Sequence, residues 1–243
     1  ETGSLEVQVD PDDPSKGTFD LYVARHLADP ERRIGSLLVN PGGPGVAGAD
    51  FAIYAAQIFS PALLAHFAVI GFDPRGVGLT EPAIDCVDDY DRFYANADIT
   101  PDDDAEREAM IELSEGFQQG CLDRAGDILP YVGTNLAAGD MDAIRAALGE
   151  ETISYLGFSY GSELGAVWVT RFPDTVRAAV LDGAVDPTAD SQESTVQQAA
   201  GFERTLGQFF AWCADTDDCA FRGDARDADG VAAAFDALMT SLD

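Results

Sequence analysis

Three short, nearly unbroken apolar runs in this chain each stop at a glycine-rich turn, and that recurrence limits the fold more than any other feature. They are Ile34-Gly35-Ser36-Leu37-Leu38-Val39-Asn40, Phe67-Ala68-Val69-Ile70-Gly71-Phe72 and Ile153–Leu156; a fourth, Val176–Leu181, closes on Asp182-Gly183. Runs of this length without polar alternation suit strands buried on both faces. Between them lie stretches with helical spacing: Ala49 to Phe59, then Thr134 onward with Met141, Ile144 and Leu148 on one side and Gly149 as C-cap, then Leu164, Val167 and Trp168. Strand, loop and helix repeated in this order predict an α/β fold with a mainly parallel sheet and flanking helices.

Upstream, Leu5–Val9 and Thr18–Arg25 alternate apolar and polar residues around a turn-rich segment, so a hairpin is expected. Glu1-Thr2-Gly3 reads as a vector-derived leader outside the fold. Beyond Asp186-Pro187 no strand pattern follows. Ser194–Cys213 reads as a helix with Phe202, Leu206, Phe209 and Phe210 on one face, and Val231–Leu242 as a second, alanine-rich helix. Two regions result, 4–187 and 188–243.

The chain carries 44 acidic and 14 basic residues among 243, a formal charge of -30. Such a field repels phosphate backbones and anionic lipid, which argues against nucleic-acid and membrane partners. No apolar run approaches the ~20 residues of a membrane span, so the chain reads as soluble and globular. Asp102-Asp103-Asp104-Ala105-Glu106 reads as a solvated loop or helix start, inside an acidic, irregular excursion between the second and third runs. No metal or cofactor is expected: the four cysteines lack C-x-x-C spacing and nearby histidines. Their even number points most simply to disulfides Cys86–Cys121 and Cys213–Cys219, worth about 4 and about 2 kcal/mol by chain entropy; the competing reading is four buried free thiols. Disulfides imply an oxidising compartment and hence a secreted protein.

The third run ends in Gly157-Phe158-Ser159-Tyr160-Gly161, the spacing of a nucleophile elbow, which lifts a serine onto the rim of a sheet. The glycines are needed because a Cβ at either would meet the neighbouring strand or helix. Asn40-Pro41-Gly42-Gly43-Pro44-Gly45 after the first run is a loop whose backbone N–H groups are uncovered, and Asp73-Pro74-Arg75-Gly76-Val77-Gly78 follows the second.

These three motifs, in this order, resemble the α/β-hydrolase fold. More narrowly they are similar to the secreted bacterial tripeptidyl aminopeptidases, relatives of proline iminopeptidase, with support from residues 140–149, 157–165 and 180–187. The resemblance implies Ser159 as the nucleophile that forms an acyl-enzyme, with the N–H groups of Tyr160 and Gly43 as oxyanion hole and Gly42 as the weaker choice. Pro41 stands where proline iminopeptidases open this loop with a histidine, a departure that fits the tripeptidyl branch. Residues 188–243 would be the start of a helical cap. Lid glutamates hold the substrate's ammonium group in such enzymes, which makes Glu193 and Glu203 candidates against the plainer reading of lid surface. Asp73 and Arg75 are expected to brace the loop.

The base is missing. The fold takes its acid and histidine after the nucleophile, yet the only two histidines, His26 and His66, precede Ser159. Asp182 follows a strand, as some hydrolases' acids do, but its Leu-Asp-Gly setting reads as a turn. The expectation is therefore the front portion of a serine exopeptidase acting on peptides with a free N-terminus. The last strands, the acid and the histidine would belong to a complementary C-terminal fragment. A secreted carboxylesterase and a non-catalytic hydrolase-like binding protein are the alternatives.

Overall fold

The computed structural model describes residues 1–95 and 97–242, Ser191 by its backbone alone. The chain divides into two compact units, Glu1–Pro187 and one from Thr188 onward.

The first unit is built on six strands: β1 (Thr2–Gln8), β2 (Thr18–His26), β3 (Gly35–Asn40), β4 (Phe67–Phe72), β5 (Ile153–Phe158) and β6 (Val176–Asp182). They form one mixed sheet in the order β1-β2-β4-β3-β5-β6. The β1–β2 hairpin is antiparallel and joins β4 antiparallel, while β4, β3, β5 and β6 run parallel. The helices are α1 (Ala49–Ile53), α2 (Ala55–Ile58), α3 (Pro61–His66), α4 (Asp91–Tyr94), α5 (Asp104–Ala125), α6 (Thr134–Ala147) and α7 (Tyr160–Arg171).

Strand periodicity sorts the core into two layers. Along β3, Leu38 points to one face and joins Ile70, Met141, Ile144, Tyr155, Leu164 and Trp168 under α6 and α7. Leu37 and Val39 point to the other and pack with Val69 against Ala49, Ala52 and Ala55. All six residues of β3 are buried, as its unbroken apolar run requires.

Four expectations for the first unit need correction. Thr2 and Gly3 are part of β1, in register with Ala24 and Val23, and Glu1 pairs with Arg25, so this segment is inside the fold. The stretch from Ala49 is two short helices, and a third, capped by Ser60 and opened by Pro61, carries the chain to His66. The acidic excursion is not irregular: it holds the 22-residue α5, started by a capping box between Asp103 and Glu106. β6 is not buried. Its residues beyond Val176 are exposed, Val180 to 57%, and among the described residues no strand pairs with its outer edge.

Arg75 ties the hairpin to the helical layer. Its five N–H groups donate to both carboxylate oxygens of Asp140 (2.7 and 2.6 Å) and to the carbonyls of Gln8, Val9 and Tyr131. Burial pushes the Asp140 carboxyl up against the pull of the guanidinium. Cys86 and Cys121 are bonded, fixing α5 to the loop after β4; Cys213 and Cys219 are bonded in the second unit.

The second unit consists of α8 (Ser191–Asp215) and α9 (Ala228–Leu242) with a short turn of helix between them. Phe209, Phe210, Phe221 and Phe235 form the aromatic contact that joins them. Phe202, expected on the packed face, is instead 67% exposed.

Candidate active site

Ser159 lies where β5 turns into α7, at the carboxyl ends of the parallel strands. Its backbone sits at φ 53, ψ -122, making it the one non-glycine residue of positive φ among the described residues. A side chain held there carries strain that the surroundings must over-determine. They do so from several directions. The Ser159 N–H donates to the Asp182 carbonyl (2.8 Å), and the Ser159 carbonyl accepts from both the N–H (2.7 Å) and the hydroxyl (2.6 Å) of Ser162. The elbow glycines meet the steric requirement expected of them. A Cβ on Gly157 would run into the Gly161 carbonyl, and one on Gly161 would lie 2.7 Å from the carbonyl oxygen of Asn40. The Tyr155 hydroxyl donates to the Gly161 carbonyl (2.7 Å) and closes the turn from beneath.

The loop after β3 comes directly against this turn. At Gly42 (φ 96) a Cβ would collide with the Phe158 carbonyl and sit 3.2 Å from both Ser159 Cβ and the Tyr160 nitrogen. The buried Asn40 side chain accepts the Gly42 N–H on Oδ1 at 2.9 Å. Gly42 is itself buried, whereas Gly43 is exposed, and among the described residues nothing accepts the Gly43 N–H. Tyr160 is the first residue of α7, so its N–H has no carbonyl one turn back within the helix and is likewise open. Ser159 is itself exposed, and two uncommitted N–H groups belong to the elbow and to the glycine loop that touches it at Gly42.

Asp73 and Arg75 act as braces. Asp73 accepts the N–H of Ala49 (3.0 Å) and of Leu79 (2.9 Å), tying the start of α1 to the turn after β4, and Arg75 is taken up entirely as described above. The Tyr160 phenol is anchored to the Thr134 hydroxyl at 2.9 Å; burial pushes it up, so it stays protonated at neutral pH.

Neither histidine can serve Ser159. His26 is in register with Val69, Val69 with Leu37, and Leu37 with Ser154. That row lies five residues before Ser159 along β5, roughly 16 Å at a strand's rise per residue, and β2 is three strands away from β5 across the sheet. His66 directly precedes β4, at the amino end of the parallel strands and away from Ser159 at their carboxyl ends, and donates Nδ1–H to the Ala62 carbonyl. Asp182 contributes its carbonyl to the elbow.

Glu193 and Glu203 are both exposed on α8, ten residues apart. Ten residues of helix advance about 15 Å, so the two do not converge on one ammonium ion. No group of three or more metal-ligating side chains occurs among the described residues. Motif spacing assigns no role to Asn40 or to Ser162. The available signal was a polar residue ending a wholly apolar strand, which must find a buried partner, and a hydroxyl three residues past the elbow serine.

A strained strand-to-helix serine, a glycine loop laid against it and a parallel sheet beneath define a hydrolase of the α/β class. The model of the alpha/beta hydrolase fold matches residues 35–236, and the chain belongs to that family. Curated proteins to which the chain is similar bear serine-protease, aminopeptidase and carboxylesterase names. It is 40% identical over 226 residues to "Serine protease Hip1" of Mycobacterium tuberculosis, which covers 91% of this chain and 43% of that protein. It is 41% identical over 202 residues to "Tripeptidyl aminopeptidase" of Streptomyces coelicolor (80% and 37%), and 40% over 222 to "Carboxylesterase B" of M. tuberculosis (89% and 42%). The chain therefore spans less than half the length of these relatives.

Proposed function

We propose that this chain carries the nucleophile and oxyanion hole of a secreted serine exopeptidase that releases short peptides, tripeptides foremost, from free N-termini. The observation that carries the reading is the exposed, strained Ser159 with the glycine loop laid against it at Gly42 and the Gly43 and Tyr160 N–H groups uncommitted. Ser159 Oγ attacks the scissile carbonyl, its proton passing to a histidine, and the carbonyl oxygen takes the negative charge. The two N–H donors stabilise that charge; each is worth about 3 kcal/mol, or 10²–10³ in turnover. The amine leaves with the proton, and water resolves the acyl-enzyme by the reverse sequence.

The acid and histidine would come from a complementary C-terminal polypeptide that extends the sheet beyond β6, whose exposed outer edge supports this. Residues 188–243 would begin the cap, where Glu193 or Glu203, but not both together, would meet the substrate's ammonium group. The two disulfides support an oxidising, extracellular location. No helix among the described residues is long and apolar enough to cross a membrane.

A second reading, a carboxylesterase, has the support of a relative of equal identity bearing that name. The test uses the chain alone and the chain with the complementary polypeptide. Alone it should show no enzymatic turnover; complemented, it should cleave a tripeptide amide and reject the N-acetylated form. Equal cleavage of both, or preference for a simple ester, selects the esterase. Robust turnover by the 243-residue chain alone removes the need for a second piece.

A further inference from the structure

We infer that Ser162 is a positioning residue that aims the Tyr160 oxyanion donor, a role resting on the function proposed above. The Ser159 carbonyl and the Tyr160 N–H belong to one peptide group, which is planar and trans, so the two point in opposite directions. Whatever holds the carbonyl also sets the direction of the N–H. Two donors hold it, the Ser162 N–H and the Ser162 hydroxyl, at 2.7 and 2.6 Å. A backbone N–H in the first turn of a helix would make the first contact with any residue at 162. The hydroxyl is particular to this side chain, and Ser162 is 1% exposed.

That hydroxyl is also held from the other side. The Val185 N–H donates to Ser162 Oγ at 2.9 Å, while the Asp182 carbonyl accepts the Ser159 N–H. The peptide groups before and after the nucleophile are therefore fastened to the last residue of β6 and to the segment that follows it, one directly and one through Ser162. Accepting from Val185 leaves the hydroxyl's single proton for the Ser159 carbonyl, so its direction is determined. Ser162 thus resists relaxation of Ser159 out of its positive-φ conformation, which would swing the Tyr160 N–H away from the developing oxyanion.

The test has two parts. A crystal structure of the Ser162→Ala chain should show Ser159 relaxed from φ 53 and the Ser159–Tyr160 peptide rotated; an unchanged peptide overturns the inference. In the complemented enzyme, Ser162→Ala should lower kcat by about 10- to 100-fold with KM within about twofold. Affinity for a peptide trifluoromethyl ketone, whose adduct is an oxyanion, should fall in parallel, while binding of the product peptide is unchanged. Ser162→Thr keeps the hydroxyl and should recover most of kcat; Ser162→Cys, with a weaker donor of similar size, should fall between. Should the alanine variant fail to fold, the threonine–cysteine difference carries the same comparison. A loss of thermal stability with wild-type kcat and inhibitor affinity would mean a merely structural serine. Ser159→Ala is run alongside: if it retains turnover, the proposed function itself fails, whereas its inactivity beside a fully active Ser162→Ala defeats this inference alone.

Discussion

Gly42 is the residue on which the loop and the elbow depend together. Its φ of 96 disfavours any side chain, and a Cβ would also strike the Phe158 carbonyl beside Ser159. Gly45, at φ 92 in the same loop, has open space around it, so the pair separates backbone strain from collision. Gly45→Ala should cost about 1 kcal/mol of stability, the lower end for a strained backbone position, and leave turnover within a few-fold. Gly42→Ala should cost at least about 2 kcal/mol and lower kcat/KM of the complemented enzyme by 10²-fold or more, since the Gly43 donor moves with it. Thermal melting and steady-state kinetics on both variants decide this. Equal effects would mean that the loop's close approach to the elbow does not matter. What was legible at this scale was spacing: the elbow and the glycine loop announce themselves in five or six letters. The partnerships of Asn40 and Ser162 were not, because each hydrogen bond joins groups whose distance is set by the folded sheet and not by local pattern.

Legibility differed among the elements for a physical reason. β3, β4 and β5 are buried on both faces, so their sequences are apolar throughout and readable. β6 has the same texture, yet it is exposed, because burial depends on neighbours that a strand's own letters do not encode. α5 registered only as a loop or helix start, for the opposite reason. It is polar nearly all round and buries only Ala125, so no apolar stripe marks it; its signal was the capping box alone. A helix that buries so little depends on its tether. Replacing Cys86 and Cys121 together by serine should remove about 4 kcal/mol by the loop-closure estimate for a 35-residue separation. Native-state hydrogen exchange would locate the loss. Protection should fall first along α5 while β3, β4 and β5 keep theirs; uniform loss throughout the first unit would show that the bridge stabilises the sheet and not the helix.

For the molecule as a whole, two surface properties oppose one another. The outer edge of β6 offers unpaired backbone groups flanked by Val180 and Leu181, 57% and 36% exposed, which is a template for association with another chain. The net charge of -30 repels any second copy. Which prevails is a matter of screening, since the Debye length falls from about 30 Å at 0.01 M salt to about 3 Å at 1 M. The isolated chain should therefore sediment as a monomer at low ionic strength and associate progressively as salt is raised. Val180→Lys adds a solvated charge at the exposed edge and should hold the chain monomeric across the same range, with the far-ultraviolet dichroism unchanged. Adding the complementary polypeptide should have the same effect on the unsubstituted chain by covering the edge. A chain that stays monomeric at 1 M salt would mean that β6 is not an available edge, and the sheet would then have to be completed elsewhere. Association unaffected by Val180→Lys would place the contact on another surface and leave the β6 edge free for the proposed complementary polypeptide.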